Sequence, residues 1–287
     1  MTQTDHTPSQ RVTPFRAGQL SNLSTLAAIL SRQVEANVRV CAPTLRRIQL
    51  MLKGMVRSLA HLGGYEIMSL QRAQADRRCV ATLLREERVN LVVDVGANLG
   101  QFARWIREVG YRGRILSFEP LAHAHHDLAS VARQDPLWTV ASRMALGDAS
   151  GEIEVHVAGN SVSSSILPML AAHQLAAPDS AYIETEKVMV NRLDDVCPLV
   201  PEDRLLLKVD VQGYERAVLD GAPRVLKCCR AIIIEMSLVP LYEGQSLAME
   251  MWEYLMSLGF QACDFNPGFR DPTSGRMLQM DGVFVRR

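Results

Sequence analysis

Four acidic side chains stand at the ends of apolar runs that are typical of buried strands. Asp94 closes the run that begins at Leu91, and Glu119, Asp210 and Glu235 end three later runs. In open α/β sheets, ligands bind beyond the carboxyl ends of the strands. A carboxylate in that position can accept hydrogen bonds from hydroxyl groups, attract a cation or take up a proton. These four residues are therefore the first candidates for a functional site.

The segment after Asp94 predicts a ligand-binding turn between a strand and a helix. Residues 96–100, GANLG, tolerate positive φ and allow a close backbone approach, and the sequence from Gln101 onward predicts a helix. Ligands bind at helix N-termini of this kind. However, the loop lacks the G-x-G-x-x-G spacing, and the chain contains no G-x-x-x-x-G-K-S/T motif. Recognition of a phosphate or a dinucleotide is therefore only weakly supported.

The charges around this loop favour a cationic nucleoside. Glu119 follows Gly96 by 23 residues, at the next strand end, where a carboxylate can accept hydrogen bonds from both hydroxyls of a ribose. Asp94 would repel a pyrophosphate but would attract an amine or a sulfonium group. An acid before the loop and an acid on the second strand together predict a site for the methyl donor S-adenosylmethionine.

Strand and helix patterns alternate from about residue 70 to the C-terminus. Apolar, β-branched runs predict strands buried on both faces, and the alternation predicts a doubly wound α/β domain. A period-2 run at residues 152–157 predicts an antiparallel excursion, with residues 166–182 outside the main sheet. The predicted strands cover residues 91–95, 114–118, 139–146, 187–191, 204–209, 231–235, 260–263 and 282–287, and the predicted helices include 70–87, 122–133 and 246–258.

Residues 1–77 predict a tail followed by a helical extension. The first 20 residues are rich in Thr, Pro, Gln and Ser, and residues 44–62 place apolar side chains at helical spacing with basic side chains largely on other faces. A basic amphipathic helix of this kind can lie on an anionic membrane, pack on a partner subunit, or cover the main domain with a solvated basic face. These alternatives stay open. The main domain is expected at residues 78–287.

Composition and charge argue against several classes of protein. The 287 residues carry 31 basic and 31 acidic side chains, so no nucleic-acid partner is expected. The six cysteines lack metal-ligand spacing, which predicts free thiols and no dedicated metal site. No apolar run approaches the roughly 18 residues of a membrane span, and the N-terminus lacks the apolar core of a signal peptide. We expect a soluble, cytoplasmic protein, with peripheral membrane contact through residues 44–62 as the open alternative.

Six sequence blocks occur in an order that is known from one enzyme family. The blocks are VVDVGANLGQFA, FEP, ALGDASGEIEV, LDD, LLKVDVQGYERAVLDGA and DGVFVRR. Over roughly residues 78 to 287 the chain resembles the FkbM-type family of S-adenosylmethionine-dependent methyltransferases. The resemblance implies a Rossmann-like, seven-stranded class I methyltransferase sheet with helices on both faces. It also implies methyl transfer to a hydroxyl of a sugar, glycolipid or polyketide-type small molecule, and it does not extend to the N-terminal extension.

The resemblance and the chemistry agree on the roles of the cofactor-binding residues. Asp94 would engage the methionine amine, directly or through water, and Glu119 would hold the ribose. Gly96 and Gly100 would let the backbone approach the methionine moiety, and the segment that ends at Asp148 would line the adenine. The full set of predicted cofactor-binding residues is Asp94, Gly96, Ala97, Asn98, Gly100, Glu119, Leu146 and Asp148.

Methyl transfer to an alcohol needs a group that removes or shares the hydroxyl proton. Asp210 is the first candidate, because a predicted turn and helix follow it directly, and Glu235 is the second. In an alternative interpretation, Asp210 holds the methionine end of the cofactor and Glu235 stabilises the fold. A divalent metal ion bound by both carboxylates is a further hypothesis, which is not favoured.

Two other functions fit parts of the pattern. A nicotinamide-dependent reductase or epimerase is disfavoured because no tyrosine is followed four residues later by lysine. A non-catalytic binding module with a cofactor fold is disfavoured by the intact loop acids and glycines. Ser161 to Ser165, His156 and His173 are placed where an acceptor could bind, although structural roles explain them equally well or better. The identity of the acceptor and the oligomeric state have no recognisable code in the sequence.

Overall fold

The computed structural model describes residues 75–287, and the predicted helix at residues 44–62 lies outside this range. The helices are α1 (Ala75–Glu86), α2 (Gln101–Val109), α3 (Ala122–Ala132), α4 (Ala171–Ala176), α5 (Leu193–Val196), α6 (Glu215–Asp220), α7 (Pro223–Cys228) and α8 (Ala248–Ser257). The strands are β1 (Leu91–Val95), β2 (Arg114–Phe118), β3 (Trp138–Val140), β4 (Ala145–Gly147), β5 (Gly151–Ala158), β6 (Tyr182–Arg192), β7 (Leu205–Val209), β8 (Cys229–Ser237), β9 (Phe260–Pro267) and β10 (Gln279–Arg286).

The main sheet has seven strands in the order β3-β2-β1-β7-β8-β10-β9. The first five strands in this order run parallel, and β10 is antiparallel to both β8 and β9. This is the Rossmann-like, class I methyltransferase sheet that the sequence predicts. The strand order reverses direction between β1 and β7, and ligands bind at such a switch point in open α/β sheets.

The central strands are buried on both faces, which explains why their sequences show no alternation. Every residue of β1 and β7 is buried. Val92 and Leu206 pack into the core beneath α1, α2 and α3, whereas Val93 and Leu207 pack into the core on the opposite face, beneath α5 to α8. Helices therefore cover both faces of the sheet, and the sheet positions its carboxyl-end loops rigidly.

A second sheet of three strands, in the order β4-β6-β5, contains the predicted antiparallel excursion. β5 pairs antiparallel with β6 over its whole length, which confirms the prediction for residues 152–157. The single strand predicted at residues 139–146 is wrong, because residues 141–144 turn and the chain leaves the main sheet after β3. Among the helices of residues 75–287, none is both long and apolar enough to cross a membrane.

Candidate functional site

A cavity of about 620 Å³ lies at the carboxyl ends of the central strands. Four carboxylates that line it follow the strand order: Glu119 after β2, Asp210 after β7, Glu235 on β8 and Asp281 on β10. We call these four residues the acidic row. Neighbouring strands lie about 4.8 Å apart, so the acidic row extends over about 19 Å. This length accommodates a nucleoside cofactor near β2 and β1 together with a second substrate near β8 and β10.

The glycine loop packs against the neighbouring strand ends. Gly96 has φ +74°, and a Cβ atom there would lie 1.9 Å from the backbone oxygen of Asp210. At Gly100, with φ +80°, a Cβ atom would lie 2.6 Å from the ring of Trp138. The sequence analysis assigned both glycines to the approach of the methionine moiety. The structure shows that Gly96 lets the ends of β1 and β7 meet while it also lines the cavity, and that Gly100 lets α2 begin beside Trp138, outside the lining.

The substitution Gly96→Ala tests the contact between the two strand ends. We expect it to lower the free energy of unfolding by about 2 to 5 kcal/mol, because it combines a left-handed backbone with a clash that only a backbone shift relieves. Gly275→Ala is the matched control, since Gly275 has φ +70° and no atom within 4 Å of the added Cβ. This control should lose only about 1 to 2 kcal/mol in urea denaturation. Equal losses would contradict a structural role for the contact.

Glu119 organises the loop and keeps acceptor capacity for a ligand. Its Oε2 accepts a hydrogen bond from the backbone N–H of Asn98 at 2.8 Å, and its Oε1 accepts one from Leu121 at 2.9 Å. Each carboxylate oxygen has a second lone pair for a ribose hydroxyl. Burial raises the pKa of Glu119 from 4.5 to about 7, despite the two backbone donors. Hydroxyl donors from a ligand would therefore stabilise a carboxylate that is costly to ionise.

Asn98 stands at the centre of the loop with φ +46°. Its Nδ2 donates to Ser161 Oγ at 3.4 Å, and its Oδ1 is buried without a hydrogen-bond partner in the described part of the chain. A buried amide oxygen without a donor is unusual and costs free energy. Because Asn98 lines the cavity, this oxygen fits a role in holding a ligand that carries N–H or O–H groups.

Lys208 on β7 lies within the block LLKVDVQGYERAVLDGA, but the sequence analysis gave this residue no role. Its Nζ lies 3.5 Å from Asp94 Oδ1 and 3.4 Å from Asp210 Oδ2, and it donates to the carbonyl oxygen of Gly96 at 3.1 Å. Burial disfavours the lysine charge, but the carboxylates of Asp210 and Asp94 outweigh this effect and raise the pKa of Lys208. Lys208 is therefore a permanent cation that joins the end of β1 to the end of β7.

Asp94 occupies a different place from the one that the sequence analysis gave it. The side chain is completely buried inside β1 and does not line the cavity. Burial raises its pKa, and the ammonium group of Lys208 opposes that shift. Because Lys208 neutralises much of the Asp94 charge, the contact of Asp94 with the methionine amine stays a prediction. The acidic row, and not Asp94, now carries the preference for a cationic ligand.

Asp210 and Glu235 lie together and are joined by side-chain amides. Gln212 Nε2 donates to Asp210 Oδ1 and to Glu235 Oε2, both at 2.8 Å, and Gln279 Nε2 donates to Glu235 Oε2 at 2.7 Å. Burial, followed by the charge of Asp210, raises the pKa of Glu235 well above 4.5. Asp281, directly opposite Glu235 on β10, has its pKa raised to about 6, mainly by burial. Raised pKa values such as those of Glu235 and Asp281 are a feature of functional sites.

The turn after Asp210 is braced from inside by Glu215. Its Oε1 accepts hydrogen bonds from the backbone N–H groups of Val211 at 3.0 Å and Gly213 at 3.1 Å. Glu215 is buried and does not line the cavity, and burial raises its pKa to about 7. The distinctive VDVQGYE block thus encodes a strand end together with its own support.

The remaining predicted residues divide between the cavity and its surroundings. Ala97 and Leu146 line the cavity, whereas Asp148 is exposed and lies outside the lining. His173 is buried beside Ser180, with its Nδ1 2.9 Å from the hydroxyl, and His156 stacks on Tyr182 with ring centroids 4.8 Å apart. Both histidines therefore have structural contacts. Within residues 75–287, no group of three or more His, Cys, Asp or Glu side chains is arranged to hold a metal ion.

The charge of the cavity fits a cationic cofactor. The acidic row contributes four carboxylates, whereas the two basic residues in the lining, Lys208 and Arg77, already face acidic partners. The sulfonium and ammonium groups of S-adenosylmethionine would compensate this excess of acid, and its ribose hydroxyls suit Glu119. A Rossmann-like sheet with a nucleoside-type site of this charge defines the class I methyltransferases.

Comparison with known proteins agrees with this class. A family model described as the methyltransferase FkbM domain matches residues 94–265, which is more than half of the chain. The protein therefore belongs to the FkbM family of S-adenosylmethionine-dependent methyltransferases. No curated protein matches the chain.

Solved structures that resemble this chain share little sequence with it. Methyltransferase FkbM from Methylobacillus flagellatus KT is 17% identical, with a TM-score of 0.43, and the alignment covers 68% of this chain and 43% of that one. The chain thus spans less than half the length of that relative. Magnesium protoporphyrin IX methyltransferase from Synechocystis PCC 6803, solved with bound S-adenosylmethionine, is 11% identical, with a TM-score of 0.41 and coverage of 82% and 97%.

Proposed function

We propose that the protein transfers the methyl group of S-adenosylmethionine to a hydroxyl oxygen of a sugar, glycolipid or polyketide-type small molecule. The observation that carries this proposal is the carboxylate of Glu235 at the end of the cavity opposite Glu119. Its Oε2 accepts two amide hydrogen bonds, and its Oε1 accepts none from the described residues. A half-buried carboxylate with a free oxygen and a raised pKa is suited to take the proton of an alcohol.

The cofactor would supply an electrophilic methyl group, and residues near β1 and β2 would hold it. Glu119 would accept hydrogen bonds from the ribose, the loop at Asn98 would contact the methionine moiety, and Leu146 would pack on the adenine. An alcohol bound with its hydroxyl within hydrogen-bond distance of Glu235 Oε1 would pass its proton to that oxygen during methyl transfer. In-line displacement requires the oxygen and the methyl group to be held in one geometry.

We call the end of the cavity beside Glu235 and Asp281 the acceptor region. The side chains there favour a neutral polyhydroxyl molecule. Asp281 and Glu235 would repel a phosphate or a carboxylate on the acceptor, whereas they accept hydrogen bonds from hydroxyl groups. Phe102 and Trp105 also line the cavity, with their ring centroids 5.6 Å apart, and offer an apolar face for the C–H groups of a sugar ring or for a polyketide chain. Asn266 adds an amide at the same end.

Calorimetric titration with S-adenosylhomocysteine tests the cofactor, and product analysis tests the reaction. We expect Glu119→Ala to weaken binding by about 10- to 100-fold, since hydrogen bonds to a charged group are lost. Glu253→Gln, an exposed change on α8, should leave binding unchanged. The purified protein is then incubated with S-adenosylmethionine and a panel of neutral sugars, glycolipids and polyketides, and the methylated atom is identified by NMR. Binding of NAD instead of S-adenosylhomocysteine, or methylation on nitrogen or carbon, would refute the proposal.

A further inference from the structure

Gln212, at the end of β7, is held in an unfavourable backbone conformation. Its φ is +54°, and that of the next residue, Gly213, is +99°. A left-handed conformation is uncommon for a long side chain and persists only where the surroundings enforce it. Here the Ser165 hydroxyl donates to the Gln212 carbonyl oxygen at 2.6 Å, and Glu215 holds the N–H groups on either side. These contacts fix the backbone at Gln212 and therefore the direction in which its side chain leaves the turn.

All polar groups of the Gln212 side chain are used. The two N–H groups of Nε2 meet Asp210 Oδ1 and Glu235 Oε2, and Oε1 lies 2.8 Å from the hydroxyl of Tyr242. Ionised carboxylates only accept hydrogen bonds, so the amide orientation is determined by its neighbours. Burial raises the pKa of Tyr242, which therefore remains a donor.

This bridge makes the two candidate bases unequal. Asp210 has one oxygen on Gln212 and the other 3.4 Å from Lys208. Glu235 has both amide donors, from Gln212 and Gln279, on the same oxygen, which leaves Oε1 for the cavity. Glu235 is therefore the better placed candidate base in this geometry, whereas the sequence analysis placed Asp210 first.

We propose that Gln212 is a positioning residue. It holds Asp210 in its contact with Lys208, and it orients Glu235 as the proton acceptor for the hydroxyl that becomes methylated. This inference rests on the proposed function for its catalytic part, whereas the bridge itself is a property of the protein alone. The groups that also act on Glu235 are Asp210, Glu215, Asp281 and Lys208. Removal of an amide donor from a carboxylate destabilises its charged form and raises the pH at which it titrates.

The test follows the carboxyl carbons of Asp and Glu by ¹³C NMR while the pH of the full, ligand-free chain is changed. Gln212→Asn keeps an amide and a residue that tolerates positive φ, but it is one methylene too short to reach both acids. We expect it to raise the titration midpoint of Glu235 by about one to two pH units. Gln279→Leu should raise the same midpoint, and Gln174→Leu, at an exposed position on α4, should leave it unchanged.

Each outcome decides one part of the proposal. If Gln279→Leu raises the midpoint of Glu235 but Gln212→Asn leaves it unchanged, the bridge does not exist and the inference falls, while methyl transfer can still stand. If the midpoint moves as expected in both variants and Gln212→Asn also loses turnover at an unchanged KM for S-adenosylmethionine, the positioning role is supported. If the midpoint moves but the wild type methylates no hydroxyl compound, the bridge stands, and the base assignment falls together with the proposed function.

Discussion

Lys208→Met should lower the free energy of unfolding by about 3 to 5 kcal/mol, because it leaves a buried carboxylate without its cation. Asp94 is fully buried, and neither of its oxygens has a hydrogen-bond partner among the described residues. Methionine matches the length of lysine, so the loss of packing is small compared with the loss of charge. Chemical denaturation at neutral pH measures the effect. The same variant frees the carbonyl oxygen of Gly96 and should loosen the start of the glycine loop.

A double variant separates charge from packing at this position. Lys208→Met combined with Asp94→Asn should be more stable than Lys208→Met alone, since the unpaired charge is removed. Lys187→Met is the matched control, because Lys187 forms an exposed ion pair with Glu152 at 3.7 Å. Such surface pairs contribute little. A Lys208→Met protein as stable as this control would contradict the role of Lys208 as the cation between β1 and β7.

Glu235→Gln should reduce the rate of methyl transfer by about 10²- to 10⁴-fold, which is the usual contribution of a general base. The amide oxygen can still accept the hydrogen bonds from Gln212 and Gln279, so the fold and the affinity for S-adenosylhomocysteine should be retained. In the wild type, activity should rise with pH through the raised pKa of Glu235, because only the ionised carboxylate can accept a proton. This rise should be absent from the residual activity of the variant.

Comparison with two other variants makes the Glu235 experiment specific. Asp210→Asn should cost less activity than Glu235→Gln, because both oxygens of Asp210 already have partners, whereas Oε1 of Glu235 has none in the described chain. Glu253→Gln should have wild-type activity. A larger loss in Asp210→Asn, with Glu235→Gln nearly normal, would restore Asp210 as the base and remove the assignment made here.

Much of the fold was predictable because its strands have strong local patterns. The apolar run at Leu205–Val209 and the β-branched run at Leu91–Val95 are buried on both faces, as such runs predict. The residues between β3 and β4 could not be assigned in this way. Both strands have only three residues, and their separation into two sheets depends on pairing with β2 and β6, which local propensity does not encode.

The site was predictable mainly at the strand ends and in the glycine loop. Glu119, Asp210 and Glu235 follow apolar runs, and the structure brings them to one cavity. The role of Lys208 was not predicted, because this residue lies within an apolar run. Its partner Asp94 becomes its neighbour only through the register of β1 and β7. Contacts between distant segments of this kind depend on tertiary structure and leave no local signal.

The order of the acidic row along the sheet also divides its four carboxylates between two stretches of chain. Residues 91–119 supply Glu119 and the glycine loop, whereas residues 205–281 supply Asp210, Glu235 and Asp281. Under the proposed function, substitutions around Glu235 and Asp281 can alter the choice of acceptor while Glu119 and the glycine loop stay intact. Such a division allows a lineage of enzymes to diversify in the molecules it modifies and to keep one methyl donor.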